Sequence, residues 1–482
     1  MPERTERPGG RPLGVLLAVL AAALYLSVAW TMATRGALNV DEGFYGICSR
    51  EAMRGLLPYR DFGYTQTPLF LYINGAAMKL LGFGFLQQRI ANGLWGAGAA
   101  FTGAAFLWRR AGRLAALGYV MLLATGLQWM YFSDLGKADA LAALLVVGAA
   151  AAALSGMAFP AKAAATAFLG VLAIGCRLPT APFFLALWAV QAGRPISARG
   201  AALMVGLPAA IGALLIGPFI AASPGNFAFW TMRFHAASRG VKDWHISAAD
   251  LYPVSPALCA ALAFFVAAWV SRRLRLGGRE DGVLGALFVG LACNILPTGA
   301  YPEYAAPFVP AFLLVLVLVL SRAFPRPAWQ CAGFAAFAAL NLCVRAPMDD
   351  QVLADTRTAA AVVRDHQAPG VPYAGSASIL ALESGAPVDA RMTMSPFCCT
   401  ESMGAEAAGL RRLVRPEDVA ALMASPGCRV VALYSDRTRN FVFSMPEFRP
   451  ISDSAVGDWK RILARDYYLA LGNSSYAVFV RR

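Results

Sequence analysis

Apolar runs of about twenty residues recur along residues 1–345, beginning with Leu13–Met32, and they constrain this chain more than any other feature. A run of that length crosses the hydrocarbon core of a bilayer as a helix, because a helix satisfies every backbone N–H and C=O within its own segment. The composition agrees: 58% of the 482 residues are hydrophobic and 15% are charged. A soluble domain carries about a quarter charged residues, so one large soluble protein is excluded. A disordered chain, a collagen-like repeat and a small disulfide scaffold are excluded with it. After residue 345 the composition becomes ordinary, which predicts two parts: a transmembrane module over 1–345 and a C-terminal α/β domain over 346–482.

The net charge is +14, from 42 Lys+Arg against 28 Asp+Glu. The basic residues sit in short clusters between the apolar runs, which is the positive-inside pattern rather than a nucleic-acid groove. With the basic N-terminus (Arg4, Arg7, Arg11) placed in the cytoplasm, helices are expected near 90–108, 114–132, 139–157, 200–222, 254–271, 282–297, 304–320 and 328–344. The run 163–192 is interrupted by Cys176-Arg177-Leu178-Pro179 and reads as two short helices. That makes about eleven spans and puts the C-terminal part outside. Most acids between residues 12 and 345, including Asp41, Glu42 and Asp139, then fall on the outer side.

Nine cysteines are scattered without paired CxxC spacing, and three histidines argue against a His-rich metal centre. Cys398, Cys399 and Cys428 leave room for one disulfide in the tail. No cofactor is expected; a divalent metal is not indicated.

The first outer loop, residues 33–89, is the most informative stretch. Asp41-Glu42 follows the first span, with Asp41 placed as a helix N-cap. Residues 43–54 read as a helix ended by Gly55 and Pro58. Pro58-Tyr59-Arg60-Asp61 and Gln66-Thr67-Pro68-Leu69 follow, and 68–82 reads as an apolar helix lying in the interface and ending at Gly82.

This loop resembles the first outer loop of the GT-C superfamily of polyprenyl-phosphate-sugar glycosyltransferases, which includes protein O-mannosyltransferases and the aminoarabinose transferases that modify lipid A. The matching elements are Asp41-Glu42, Gly55, Pro58-Tyr59-Arg60-Asp61 and Gln66-Thr67-Pro68-Leu69. Asp139, in Lys137-Ala138-Asp139, is similar to a second acid that the family carries at the head of its fourth helix, and Tyr301-Pro302-Glu303-Tyr304 extends the likeness weakly.

The resemblance implies transfer of a monosaccharide from a polyprenyl-phosphate donor to a hydroxyl of a glycan, lipid A, polysaccharide or protein on the periplasmic side. Asp41 would be the general base, with Glu42 or Asp139 shaping the acceptor site. The family often holds the donor phosphate with the Lys of a Lys-Pro-Pro-Leu turn, where Gln66 stands here. Arg60 comes first among the substitutes, followed by Arg239 and Arg177, with Lys137 and Arg233 as further outer-face cations; Tyr59, Tyr301 and Tyr304 complete the substrate-binding set. The alternatives are an oligosaccharide ligase with a diphosphate donor, or a non-enzymatic lipid or glycan transporter. A transporter would place broken helices in symmetric pairs, and this sequence has one broken pair.

Overall fold

The computed structural model describes residues 11–192, 198–235, 278–295, 302–435, 441–442 and 451–482, with residues 260 and 263. The expected helix at 254–271, Arg239 and Tyr301 lie outside the described residues.

The first helix, α1, covers Arg11–Arg35, and 25 residues give it a length of about 37 Å. Two short helices follow, α2 (Asp41–Met53) and α3 (Leu69–Leu81). Each stops where the backbone leaves helical space: Gly55 has φ 93° and Gly82 has φ 101°. Helix α3 buries Phe70, Asn74 and Met78 and leaves Leu80 88% exposed.

Helix α4 (Phe85–Ala111) runs back through the bundle. The apolar run 114–132, expected as one helix, is instead α5 (Arg113–Thr125) and α6 (Leu127–Asp134), bent by 76° at Gly126. Helices α7 (Asp139–Leu154), α8 (Phe159–Cys176) and α9 (Ala181–Ala192) follow. The break between α8 and α9 falls at Arg177, where the chain turns extended before a 3-10 turn at Leu178–Thr180. Next come α10 (Ala198–Leu215), α11 (Gly217–Ala222) and α12 (Pro224–Ala228), then α13 (Gly278–Ile295), α14 (Val309–Ala323) and α15 (Pro327–Leu342). Among the described residues four helices are long and apolar enough to cross a membrane, or five if the bent pair is one span.

The C-terminal residues form α16 (Val352–His366), α17 (Ser378–Ser384), α18 (Ala405–Leu410), α19 (Pro416–Ala424) and α20 (Asp453–Asp466), with an antiparallel sheet ordered β2-β1-β4-β3. Its strands are β1 (Val430–Ser435), β2 (Phe441–Val442), β3 (Tyr467–Gly472) and β4 (Tyr476–Arg481). This part shares a continuous core with the outer loop: Phe44 of α2 meets Phe397 edge-on, ring centroids 5.8 Å apart. Arg50 of α2 is buried and donates to the carbonyls of Ala381 and Ala386. Cys398, Cys399 and Cys428 are buried free thiols, so no disulfide joins them.

Candidate functional site

The site begins with a structural pair. Glu42, the second residue of α2, is fully buried, and Arg89 of α4 grips both carboxylate oxygens at 2.7 and 2.8 Å. Arg89 also donates to the carbonyls of Gly36 and Ala37 past the end of α1. The backbone N–H of Gly136 donates to Glu42 at 3.0 Å, and Gln88 donates to the carbonyls of Glu42 and Gly136. A Cβ at Gly136 would press on the Gln88 side chain and displace its amide from these two carbonyls. This buried network ties α1, α2, α4 and the link before α7 together. It fixes Asp41 and Lys137, each next in sequence to one of its members.

Asp41 is not an N-cap. Val40 holds the N-cap position, and the Asn39 side-chain oxygen accepts from the N–H of Asp41 at 3.0 Å. The Asp41 carboxylate instead meets the ammonium of Lys137 at 2.8 Å, and Lys137 also meets Glu303 at 2.7 Å. Lys137 is 2% exposed, while Asp41, at 24%, opens to solvent. Burial alone would lower the Lys137 pKa, but Asp41 and Glu303 more than offset it and hold the ammonium charged well above the usual lysine range.

Asp139 is also not a cap. It is fully buried at the head of α7, and its carboxylate lies 2.6 Å from the Arg177 guanidinium at the α8–α9 break. Arg177 stands 5.5 Å over the Tyr304 ring. Burying these cations is tolerated only because each has a carboxylate. Donor capacity nevertheless remains: Arg177 Nε is buried without a hydrogen-bond partner, and the Lys137 ammonium has a third proton. Three carboxylates face two cations, so one carboxylate can take up a proton without leaving the cluster positively charged.

The other sequence candidates lie elsewhere. Arg60 forms a bidentate pair with Asp61, its side chain 52% exposed, and this pair stands apart from the Asp41–Lys137–Glu303 ion pairs. Tyr59 is buried at φ 68° and donates to the Gln66 carbonyl at 2.5 Å, so it shapes the loop rather than presenting its hydroxyl to a substrate. Gln66 is half-buried and enters that bond through its backbone. Glu303 stands out in the sequence only within Tyr301–Tyr304, with no site role, and Arg89 is not singled out there. Glu303 sits between tyrosines in a 3-10 turn with no spacing signal, and Arg89 looks like any residue of an apolar helix flank. Among the described residues no three His, Cys, Asp or Glu side chains come together as a metal site.

No family model and no curated protein matches the sequence. Solved structures do match its shape. ArnT from Cupriavidus metallidurans, solved with undecaprenyl phosphate, superposes with a TM-score of 0.63 at 15% identity, over 96% of this chain and 97% of that one. Its apo form matches equally well. The oligosaccharyltransferase of Archaeoglobus fulgidus, in complex with Zn and sulfate, matches with a TM-score of 0.50 at 12% identity, over 89% of this chain and 73% of that one. At identities this low the superposition speaks for architecture: this chain has the fold of ArnT over nearly its whole length.

Proposed function

We propose that the chain is an integral-membrane glycosyltransferase that moves a monosaccharide from a polyprenyl-phosphate donor to a hydroxyl, with Asp41 as general base. One observation carries this reading. A partly open carboxylate, Asp41, pairs with the buried Lys137, and Asp139, two residues on from Lys137, pairs with the buried Arg177; both cations keep unused donors. A fold shared with ArnT, which was solved with undecaprenyl phosphate, supports a polyprenyl-phosphate substrate for such a site.

The acceptor oxygen attacks the anomeric carbon and the bond from that carbon to the phosphate oxygen breaks. The electron pair leaves on the polyprenyl phosphate, and the acceptor proton passes to Asp41. The leaving group is the anion of an acidic phosphate and needs no general acid, only donors that stabilise it. Lys137 and Arg177 supply those donors in place of the lysine that the Gln66 position lacks. The active face and the C-terminal part lie on the periplasmic side, and the acceptor is a lipid-linked glycan, lipid A, polysaccharide or protein.

Asp41→Asn keeps the size and removes the basicity. Sugar transfer from a polyprenyl-phosphate donor should fall by ~10²–10⁴ while the purified variant remains folded. Turnover within a few-fold of the parent would remove Asp41 from the chemistry.

A further inference from the structure

Helices α7, α8, α9 and α13 all run between the candidate site and the opposite end of the bundle. Helix α7 leaves the site at Asp139, α8 arrives there before Arg177, and α9 leaves it at Ala181. Helix α13 ends at the site, where Asn294 donates to the Pro179 carbonyl at 2.6 Å. Their other ends therefore meet roughly 18–27 Å away, by the rise of 12 to 18 helical residues.

There they enclose a cavity of about 170 Å³. Its polar lining includes Lys162, Gln191 and Arg279, and among the described residues no carboxylate lines it. Lys162, in the first turn of the 18-residue α8, is 8% exposed. Gln191 Nε2 is buried without a hydrogen-bond partner. Arg279 is exposed and donates to the Ser155 carbonyl. The nearby Glu280 is engaged by Arg322 at 2.8 Å. The rim is of the opposite character: Met157, Phe159 and Val190 line the same cavity and are exposed apolar side chains.

Two cations and an unused amide donor gather around a space that can hold an anionic group, with the N-terminus of α8 adding its partial positive charge. An apolar rim at the end of a membrane bundle suits acyl chains and gives nothing to a small hydrated anion. We propose that this cavity binds the phosphate headgroup of an anionic phospholipid, on the membrane face opposite the candidate active site. The proposal rests on the membrane reading of the helices and not on sugar transfer.

The test uses the full chain, purified in a neutral detergent and titrated separately with dioleoyl phosphatidylglycerol, dioleoyl phosphatidylcholine and inorganic phosphate, with bound lipid counted by native mass spectrometry. Phosphatidylglycerol should fill a first site at roughly tenfold lower concentration than phosphatidylcholine. Arg279→Gln and Lys162→Gln should each weaken that site by about tenfold, and Lys162→Arg should keep most of it. Inorganic phosphate should not displace the lipid at comparable concentration. Equal binding of the two lipids, or parent-like binding by both Gln variants, would overturn the proposal. Displacement by inorganic phosphate alone would overturn the lipid assignment. If Lys162→Gln does not fold, the exposed Arg279→Gln carries the decision, and transfer activity has no part in the readout.

Discussion

Glu42 and Asp41 are neighbours in sequence, and the structure gives them different work. Glu42 is sealed in a two-point pair with Arg89, whereas Asp41 faces the open side of Lys137. Removing one member of a buried pair strands the other charge, so Arg89→Met should cost about 3–5 kcal/mol, seen as a large fall in thermal unfolding temperature in detergent. Glu42→Leu combined with Arg89→Met should recover much of that loss, since no charge is then left buried alone. Arg60 should behave in the opposite way. Its hydrogen bonds to Asp61 hold that carboxyl below its usual range. The small stabilisation this brings is therefore present above the ordinary carboxylate pKa and is lost as the pH falls through the lowered value. Arg60→Ala should return Asp61 to the ordinary carboxylate range by NMR titration, yet leave the donor concentration dependence of transfer unchanged. A strong rise in donor requirement would bring Arg60 back as the phosphate contact.

At the scale of elements, α2 is the part whose placement matters most, because it carries Asp41 and packs on α17 of the C-terminal part. Gly43 lies where the two meet: a Cβ there would press on Ser378 Oγ, the backbone nitrogen of Ile379 and the Tyr434 hydroxyl. Backbone cannot give way as a long side chain can, so Gly43→Ala should destabilise by about 1–3 kcal/mol and lower transfer by shifting Asp41. Gly55 is the contrast. Nothing lies within 4 Å of its Cβ position, but its φ of 93° disfavours any other residue. Gly55→Ala should cost about 1 kcal/mol with little effect on turnover. Chemical unfolding of both variants beside their activity separates the two causes. The helix ends at Gly55 and Gly82 and the break at Arg177 were legible in the sequence, because glycine and proline act locally on the backbone. The bend at Gly126 was not, since an isolated glycine within an apolar run carries no direction.

At the scale of the whole molecule, the membrane module and the C-terminal residues are joined by their cores as well as by the chain. Arg50 takes two of its acceptors from Ala381 and Ala386. A chain ending at residue 345 would strip Arg50 of these acceptors and expose Phe44, so it should aggregate on gel filtration where the full chain is monodisperse. A well-behaved truncated protein would show that the shared core is not needed. Topology has its own test. Reporter fusions after Arg113, Arg199, Arg279 and Arg326 should report cytoplasm, and one after Arg345 the outer compartment, on the positive-inside argument. The same experiment places the cavity at Lys162 on the cytoplasmic leaflet.

The sequence alone determined that this chain is built from membrane-length apolar helices, because hydrophobic length and charge clustering act segment by segment. It also singled out the loop with Asp41 and the acid at Asp139, because their neighbours in sequence carry the likeness to a fold family. Only the tertiary structure decided the partners. Lys137 between Asp41 and Glu303 joins residues 166 positions apart in the case of Lys137 and Glu303, and no local pattern encodes such a contact. It also separated Glu42 from Asp41: two adjacent acids on a helix point about 100° apart, and what packs on each side makes one a buried strut and leaves the other open.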